Sequence, residues 1–175
     1  GTSKALTIKW DGSPAVVFGR NPNGEFIFTD KSGFVAKGYD GRATNADDLE
    51  GAIMQRAKGD RKKMKGYQQY ASKMKGIFDM MQNAVSETFQ GYLVGDMLFF
   101  DTPQKSGNAY VFKPNVVEYK VDANSALGQR IGQSKVGVVV HNLMSEKGRT
   151  MPAKNLDMIQ GGEVLAIPPT TVNKK

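Results

Sequence analysis

Cysteine is absent from this chain of 175 residues, which excludes a disulfide framework, a thiolate zinc site and a cysteine nucleophile. No apolar run approaches the roughly 20 residues that a membrane span needs, and no signal peptide precedes the first predicted strand. The sequence also lacks a phosphate-binding Gly-x-x-x-x-Gly-Lys loop. We therefore expect a soluble, cytoplasmic protein with no membrane partner.

The composition is that of one folded domain with an excess of positive charge. Hydrophobic residues make up 39% of the chain and aromatic residues 9%, which is enough for a sizeable core. The net charge of +7 indicates a polyanionic partner, although the same charge spread evenly would only keep the protein soluble. Because the first residue is glycine and not methionine, we expect residues 1–175 to be a single, N-terminally incomplete domain.

Apolar periodicity predicts both strands and helices. Helical spacing between residues 46 and 89 indicates a short helix, a basic connector and a longer helix, with Asn45 and Ser72 near helix starts. Helices inserted in an antiparallel sheet make the predicted class α+β. Strands are predicted at about residues 5–10, 14–19, 25–30, 91–100, 109–119, 136–141 and 163–167.

The segment Thr7-Ile8-Lys9-Trp10-Asp11-Gly12-Ser13 carries a Lys-x-Asp-Gly motif at the end of a predicted strand. Asp11-Gly12 is a turn pair, so Lys9 is expected near the tip of a hairpin. A lysine on rigid strand backbone can be aimed at one phosphorus atom as a nucleophile. The alternative is a hairpin with a solvated lysine, and the tetrapeptide alone does not decide between them.

Two further segments contain polar residues suited to nucleotide chemistry. Lys31, Ser32 and Gly33 follow the third predicted strand, where the lysine could neutralise phosphate charge and the serine and glycine backbone could contact phosphate or ribose. A plain turn lysine would do neither. Asp96 is the one acid in the apolar run 91–100, and a carboxylate there is costly unless it is paired or bound to a ligand. We therefore expect Asp96 to hold a ribose hydroxyl, a metal ion or Lys9.

The remaining candidates are aromatic and basic. Phe112 and Lys113 could stack on a base and contact a phosphate, although core packing of the aromatic ring is at least as good an explanation. Lys135 precedes an apolar strand that ends at His141, the one histidine, and a lone histidine is more often structural than catalytic. The basic connector at residues 58–65 is either a solvated helix end or a contact to a nucleic acid backbone.

Taken in order, these segments resemble the adenylation domain of the superfamily of DNA ligases, RNA ligases and mRNA capping enzymes. Residues 7–13 look like motif I and are closest to the phage RNA ligases, and the wider pattern resembles ligase-like proteins of tailed marine phages. Residues 30–33 and Leu93-Val94-Gly95-Asp96 look like the next motifs, and 136–140 looks like the motif IV strand. The resemblance implies an ATP-grasp-like adenylation-domain core, with ATP and Mg²⁺ as cofactors and a DNA or RNA 5′-phosphate as partner.

The resemblance assigns roles to particular positions. Lys9 would be the catalytic residue and Asp96 a metal ligand as well as a ribose contact. The protein would then act in the cytoplasm of a phage-infected host cell as an ATP-dependent nucleotidyltransferase that forms lysyl-AMP. The implied nucleotide-binding residues are Ile8, Asp11, Gly12, Lys31, Ser32, Gly33, Asp96, Phe112, Lys113 and Lys135.

Three features depart from the family pattern. Val136 stands where motif IV carries a metal-binding acid, no clear motif V is found, and no oligonucleotide-binding-fold domain follows. These departures favour the alternative that the chain is a catalytically degenerate ligase fold that binds nucleic acid or a phage partner. Val136 is the residue that separates the two hypotheses.

Overall fold

A computed structural model of the protein describes residues 14–36 and 41–169. Its helices are α1 (Lys31–Phe34), α2 (Ala46–Met54), α3 (Arg61–Ala84) and α4 (Ala126–Gly132), with a 3₁₀ turn at Gln55–Ala57. Its strands are β1 (Ala15–Arg20), β2 (Phe26–Asp30), β3 (Gly91–Phe99), β4 (Gln104–Ser106), β5 (Ala109–Phe112), β6 (Tyr119–Asp122), β7 (Val136–Met144), β8 (Thr150–Pro152) and β9 (Val164–Ile167).

The larger sheet has six strands in the order β2-β1-β3-β7-β8, with β9 also paired to β7. All of its pairings are antiparallel except that of β7 with β9. The predicted α+β class with antiparallel sheets is therefore confirmed.

Helices α2 and α3 cover one face of the larger sheet, which we call the helix face. Helix α3 turns Met74, Phe78 and Met81 towards that face, and they join Phe18 and Phe28 in the main apolar core. Their spacing of three to four residues is that of an amphipathic helix, as predicted from the sequence. Helix α2 lies where the periodicity placed it, whereas α3 includes the predicted longer helix and also part of the predicted basic connector.

The helix starts agree with the sequence only in part. The side chain of Asn45 accepts a hydrogen bond from the N–H of Asp48, so the predicted cap of α2 is confirmed. The predicted start near Ser72 is wrong, because α3 begins at Arg61, eleven residues earlier, with Asp60 as its cap. Ser72 lies on the exposed side of the continuous helix, where a serine is tolerated.

The smaller sheet, β4-β5-β6, lies with α4 against the opposite face of the larger sheet, which we call the cleft face. The single strand predicted at 109–119 is instead two strands, β5 and β6. Pro114 lacks the N–H that a strand ladder uses, and Asn115 accepts a hydrogen bond from the N–H of Val117 in the turn. None of the helices in the described residues is long and apolar enough to cross a membrane.

Candidate active site

The motif I residues Ile8, Lys9, Asp11 and Gly12 lie outside the described residues, so the site is built from the side chains that surround the start of β1. There the carbonyl of Pro14 accepts a hydrogen bond from the N–H of Met97 at 3.1 Å. Ala15 lies directly opposite Asp96 in the antiparallel pairing of β1 with β3. The strand that follows motif I therefore begins beside Asp96.

Among the described residues, Asp96 lies on a strip of the cleft face between the parts that α1 and the smaller sheet cover. On β3, Tyr92 and Val94 pack with Phe34 of α1, whereas Leu98 packs under the smaller sheet. Side chains alternate between the two faces of a strand, so Val94, Asp96 and Leu98 share the cleft face. The Asp96 side chain, between the two covered patches, is 43% exposed. It is thus accessible to a ligand from solvent.

His141 contacts Asp96 across the strand pair. Its Nε2 lies 2.9 Å from the Asp96 Oδ2, within hydrogen-bond distance, and its side chain is 40% exposed. The register of β3 against β7 shifts between Val94 and Gly95, where Val94 faces Asn142 and Gly95 faces Val140. His141 is the extra residue of this bulge, and bulges commonly re-aim a side chain. The sequence indicated both residues but not that they form a pair.

A second polar cluster is centred on Asp30 at the end of β2. Arg56 donates two hydrogen bonds to its carboxylate, Nη1 to Oδ2 at 2.7 Å and Nη2 to Oδ1 at 2.6 Å. The Tyr70 hydroxyl donates to Oδ2 at 2.8 Å, and the N–H of Gly33 donates to Oδ1 at 2.8 Å. This bidentate, four-bond arrangement fixes the short helix α1, which follows Asp30, against α3.

The electrostatics of this cluster favour the ionised carboxylate. Burial alone would raise the pKa of Asp30, but the hydrogen bonds and charge of Arg56 and the bonds from Gly33 and Tyr70 outweigh it, so the pKa is lowered. Burial and the negative charge of Asp30 raise the pKa of the Tyr70 hydroxyl. Asp30 therefore remains an anion and Tyr70 a hydrogen-bond donor at neutral pH. Sequence reasoning missed Arg56 and Tyr70.

A cavity of about 290 Å³ opens beside this cluster. It connects three sets of residues: the start of β1 at Pro14 and Ala15, the first turn of α1 at Lys31 and Ser32, and the Arg56 cluster. Lys31 is exposed there, whereas the N–H of Gly33 is used within the protein by Asp30. Tyr67 of α3 completes the wall. Of the predicted residues, Lys31 and Ser32 line this cavity. Asp96 is not in its lining; it is related to the cavity only through Ala15, which it faces in the pairing of β1 with β3.

Phe112 lies farther along the cleft face, among aromatic neighbours. Its ring stacks on Tyr119 at a centroid distance of 5.3 Å and meets Phe99 edge to face at 5.4 Å. The same residues line a mostly apolar cavity of about 270 Å³ between the two sheets and α4. Lys113 is exposed just after β5, and Lys135 is exposed just before β7. Phe112 therefore has a packing role, which the sequence left open beside base stacking.

Metal binding has limited support from the described residues. Within 14–36 and 41–169 there is no group of three or more acidic or histidine side chains that could hold a metal ion. Asp96 and His141 offer one carboxylate and one imidazole, whereas Mg²⁺ prefers several oxygen ligands. Val136 is fully buried in the core on the helix face. In the pairing of β3 with β7, Asp96 lies opposite Val139, which packs on the cleft face. Val136 is three residues from Val139, and side chains an odd number of positions apart point to opposite faces of a strand. Asp96 and Val136 therefore lie on opposite faces of the sheet.

Comparison with known proteins identifies the family but not the activity. Neither the curated proteins nor the solved structures contain a match to this chain. A family model described as "Family of unknown function (DUF6267)" matches residues 1–160, and the chain therefore belongs to this family.

Proposed function

We propose that this protein is a nucleotidyltransferase of the polynucleotide ligase type, which forms a covalent lysyl-AMP at Lys9. The observation that carries the proposal is that the strand that follows the Lys-x-Asp-Gly motif in the sequence begins beside Asp96. Lys9 precedes Ala15 by six positions, and Ala15 lies opposite the accessible carboxylate of Asp96. In the sequence the motif is thus a few residues from a strand start that faces Asp96, which among the described residues lies between the patches packed by α1 and by the smaller sheet.

The proposed chemistry has two balanced steps. The Lys9 Nζ forms a bond to the α-phosphorus of ATP while the bond from that phosphorus to the pyrophosphate oxygen breaks, and the amine releases a proton. An oxygen of a nucleic acid 5′-phosphate then attacks the same phosphorus. The phosphorus–nitrogen bond breaks, and the amine recovers a proton. The product is an adenylylated DNA or RNA end.

The residues around the start of β1 suit the first step. A lysine nucleophile must lose its proton at neutral pH, which neighbouring positive charge and desolvation favour. Lys31 in the wall of the 290 Å³ cavity supplies positive charge for the phosphates, and Ser32 supplies a hydroxyl. Asp96 is available to accept a hydrogen bond from a ribose hydroxyl, with His141 fixing its orientation. Mg²⁺ enters the proposal with ATP, and no step is assigned to it.

A second candidate function is favoured by Val136. A motif IV acid at this position would point into the core on the helix face, where an unpaired carboxylate is strongly destabilising. With Val136 in place of that acid, the chain would keep the fold and bind nucleic acid or a phage partner without adenylylating itself.

Incubation of the full chain with ATP labelled at the α-phosphate, followed by denaturing gel electrophoresis, separates the two candidates. We expect an alkali-stable, acid-labile label that is lost in Lys9→Ala and Lys9→Arg and retained in Lys147→Ala, a change at an exposed lysine of the β7–β8 turn. Equal labelling of Lys9→Arg and the parent would refute the assignment of Lys9. A parent chain that binds oligonucleotides but never acquires label would establish the binding function instead.

A further inference from the structure

The first two turns of α3, together with Lys58 three residues before the helix, carry a concentrated positive surface. Residues 58–65 include five exposed cations and a single acid, Asp60, whose carboxylate is used as the cap of α3. The Lys63 Nζ is 4.0 Å from Asp60, so the acid offsets part of one charge. We call this the basic surface; it consists of Lys58, Arg61, Lys62, Lys63 and Lys65.

The acids of the neighbouring helix do not neutralise this surface. Asp47 and Glu50 of α2 contact Lys75, at 3.2 Å and 3.1 Å, and the third acid of this helix, Asp48, accepts a hydrogen bond from the Asn45 amide at 2.9 Å. Lys75 lies thirteen residues after Lys62, which is about 20 Å along the axis of α3 at 1.5 Å per residue. The positive potential of the basic surface is therefore available to an outside anion.

The basic surface leads directly to the candidate active site. Tyr67, in the wall of the 290 Å³ cavity, lies one helical turn after Lys63, about 6 Å along the axis. Residues four apart lie on the same side of a helix. A chain of phosphates bound along the first turns of α3 would thus reach the cavity that contains Lys31 and Ser32.

The side chains between the cations indicate what kind of polyanion fits. On the solvent side of α3, the basic surface is followed by Gln68, Gln69 and Ser72, all exposed. A helix that binds a membrane surface needs large apolar side chains to insert beside its cations, and this exposed side has none among the described residues. Hydrated lysines beside amides and hydroxyls are instead typical of contacts to a nucleic acid backbone.

We propose that the basic surface binds the backbone of a single-stranded nucleic acid and directs its 5′-phosphate into the cavity beside Ala15. This inference rests on the proposed function for the identity of the strand, which would be the acceptor of AMP. Single strands are the better fit because a flexible backbone can follow one helix and then turn into a cavity of this size. The contacts are to phosphates and carry no sequence preference.

The test is fluorescence anisotropy with a 5′-phosphorylated, 3′-labelled single-stranded oligonucleotide at several salt concentrations. The variant K62Q/K65Q removes two cations of the basic surface that make no ion pair in the described residues, and K147Q/K154Q is the control with the same change in net charge. We expect the first variant to bind several-fold more weakly. Its plot of log affinity against log salt should be shallower by about 1.4, that is about 0.7 for each lost phosphate contact.

The outcomes are distinct from those of the labelling experiment. Equal affinity of K62Q/K65Q and the parent, or an equal loss in K147Q/K154Q, would overturn the inference. Binding of the parent to phosphatidylserine-containing vesicles but not to the oligonucleotide would overturn it as well. If K62Q/K65Q loses strand binding while the parent forms no lysyl-AMP, the basic surface stands and the nucleotidyltransferase proposal fails. If Lys9 is labelled and K62Q/K65Q binds the strand as tightly as the parent, the nucleotidyltransferase proposal stands and the inference about the basic surface fails.

Discussion

Removing the carboxylate of Asp30 should destabilise the fold more than any other single loss of charge that we consider. Asp30→Ala deletes the acceptor of four hydrogen bonds and leaves the Arg56 guanidinium without its ion-pair partner. The side chains are only 8% and 17% exposed, so solvent does little to replace the lost interactions. Breaking a buried ion pair on one side costs about 3–5 kcal/mol, a large fraction of the roughly 5–15 kcal/mol that stabilises a domain.

Urea unfolding followed by circular dichroism measures this loss, with Asp47→Ala as the matched control. Asp47 is 85% exposed, and its partner Lys75 also contacts Glu50, so the control should leave the unfolding midpoint unchanged. Adding Arg56→Met to Asp30→Ala should recover part of the loss, because it removes the uncompensated charge. A loss below about 1 kcal/mol in Asp30→Ala would refute a buried, four-bond cluster at this position.

Three further predictions concern stability. The pKa of Asp30 is lowered in the folded state, so its contribution to the free energy of unfolding is present above the unfolded pKa of about 3.9 and is lost as the pH falls through the folded pKa. The difference in unfolding free energy between the parent and Asp30→Asn should therefore shrink below about pH 4, and a difference that stays constant with pH would contradict the lowered pKa. A Cβ at Gly95 would meet the Val139 carbonyl oxygen, so Gly95→Ala should sharply lower the melting temperature. Gly76 lies in open space on α3, so Gly76→Ala should stabilise the fold by about 0.5–1 kcal/mol, and similar melting temperatures of the two variants would contradict the close approach of the strands at Gly95. Val136→Glu should prevent cooperative folding, as seen by near-ultraviolet circular dichroism, and a well-folded variant would show that this position is less buried than described.

Local patterns predicted the larger elements well. The apolar period of α3 and the Asn45 cap of α2 depend on interactions between residues three or four apart, which the sequence displays directly. The start of α3 was misassigned to Ser72 because a basic, glycine-containing stretch lacks a clear apolar stripe. This stretch is helical because Asp60 caps it and because the helix continues into turns that are buried from Tyr70 onwards.

The candidate site could be predicted only in part, because its pairings are distant in sequence. Asp96 was identified as an acid in an apolar run, but its contact with His141 spans 45 positions and depends on a bulge in β7. Asp30 and Arg56 are 26 positions apart, and Arg56 ends a stretch whose pattern resembles an ordinary exposed helix end. Such contacts follow from sheet order and helix packing, which a single sequence does not specify.

The central claim, that Lys9 carries the nucleotide, is tested most directly by peptide mass spectrometry of the full chain after incubation with ATP and Mg²⁺. We expect one AMP per chain, attached to the side chain of Lys9 and absent from Lys9→Arg. The Lys31→Gln variant should acquire the adduct more slowly, because it loses a phosphate-neutralising charge. AMP on a different residue, or a parent chain that remains unmodified while it binds ATP, would contradict the account.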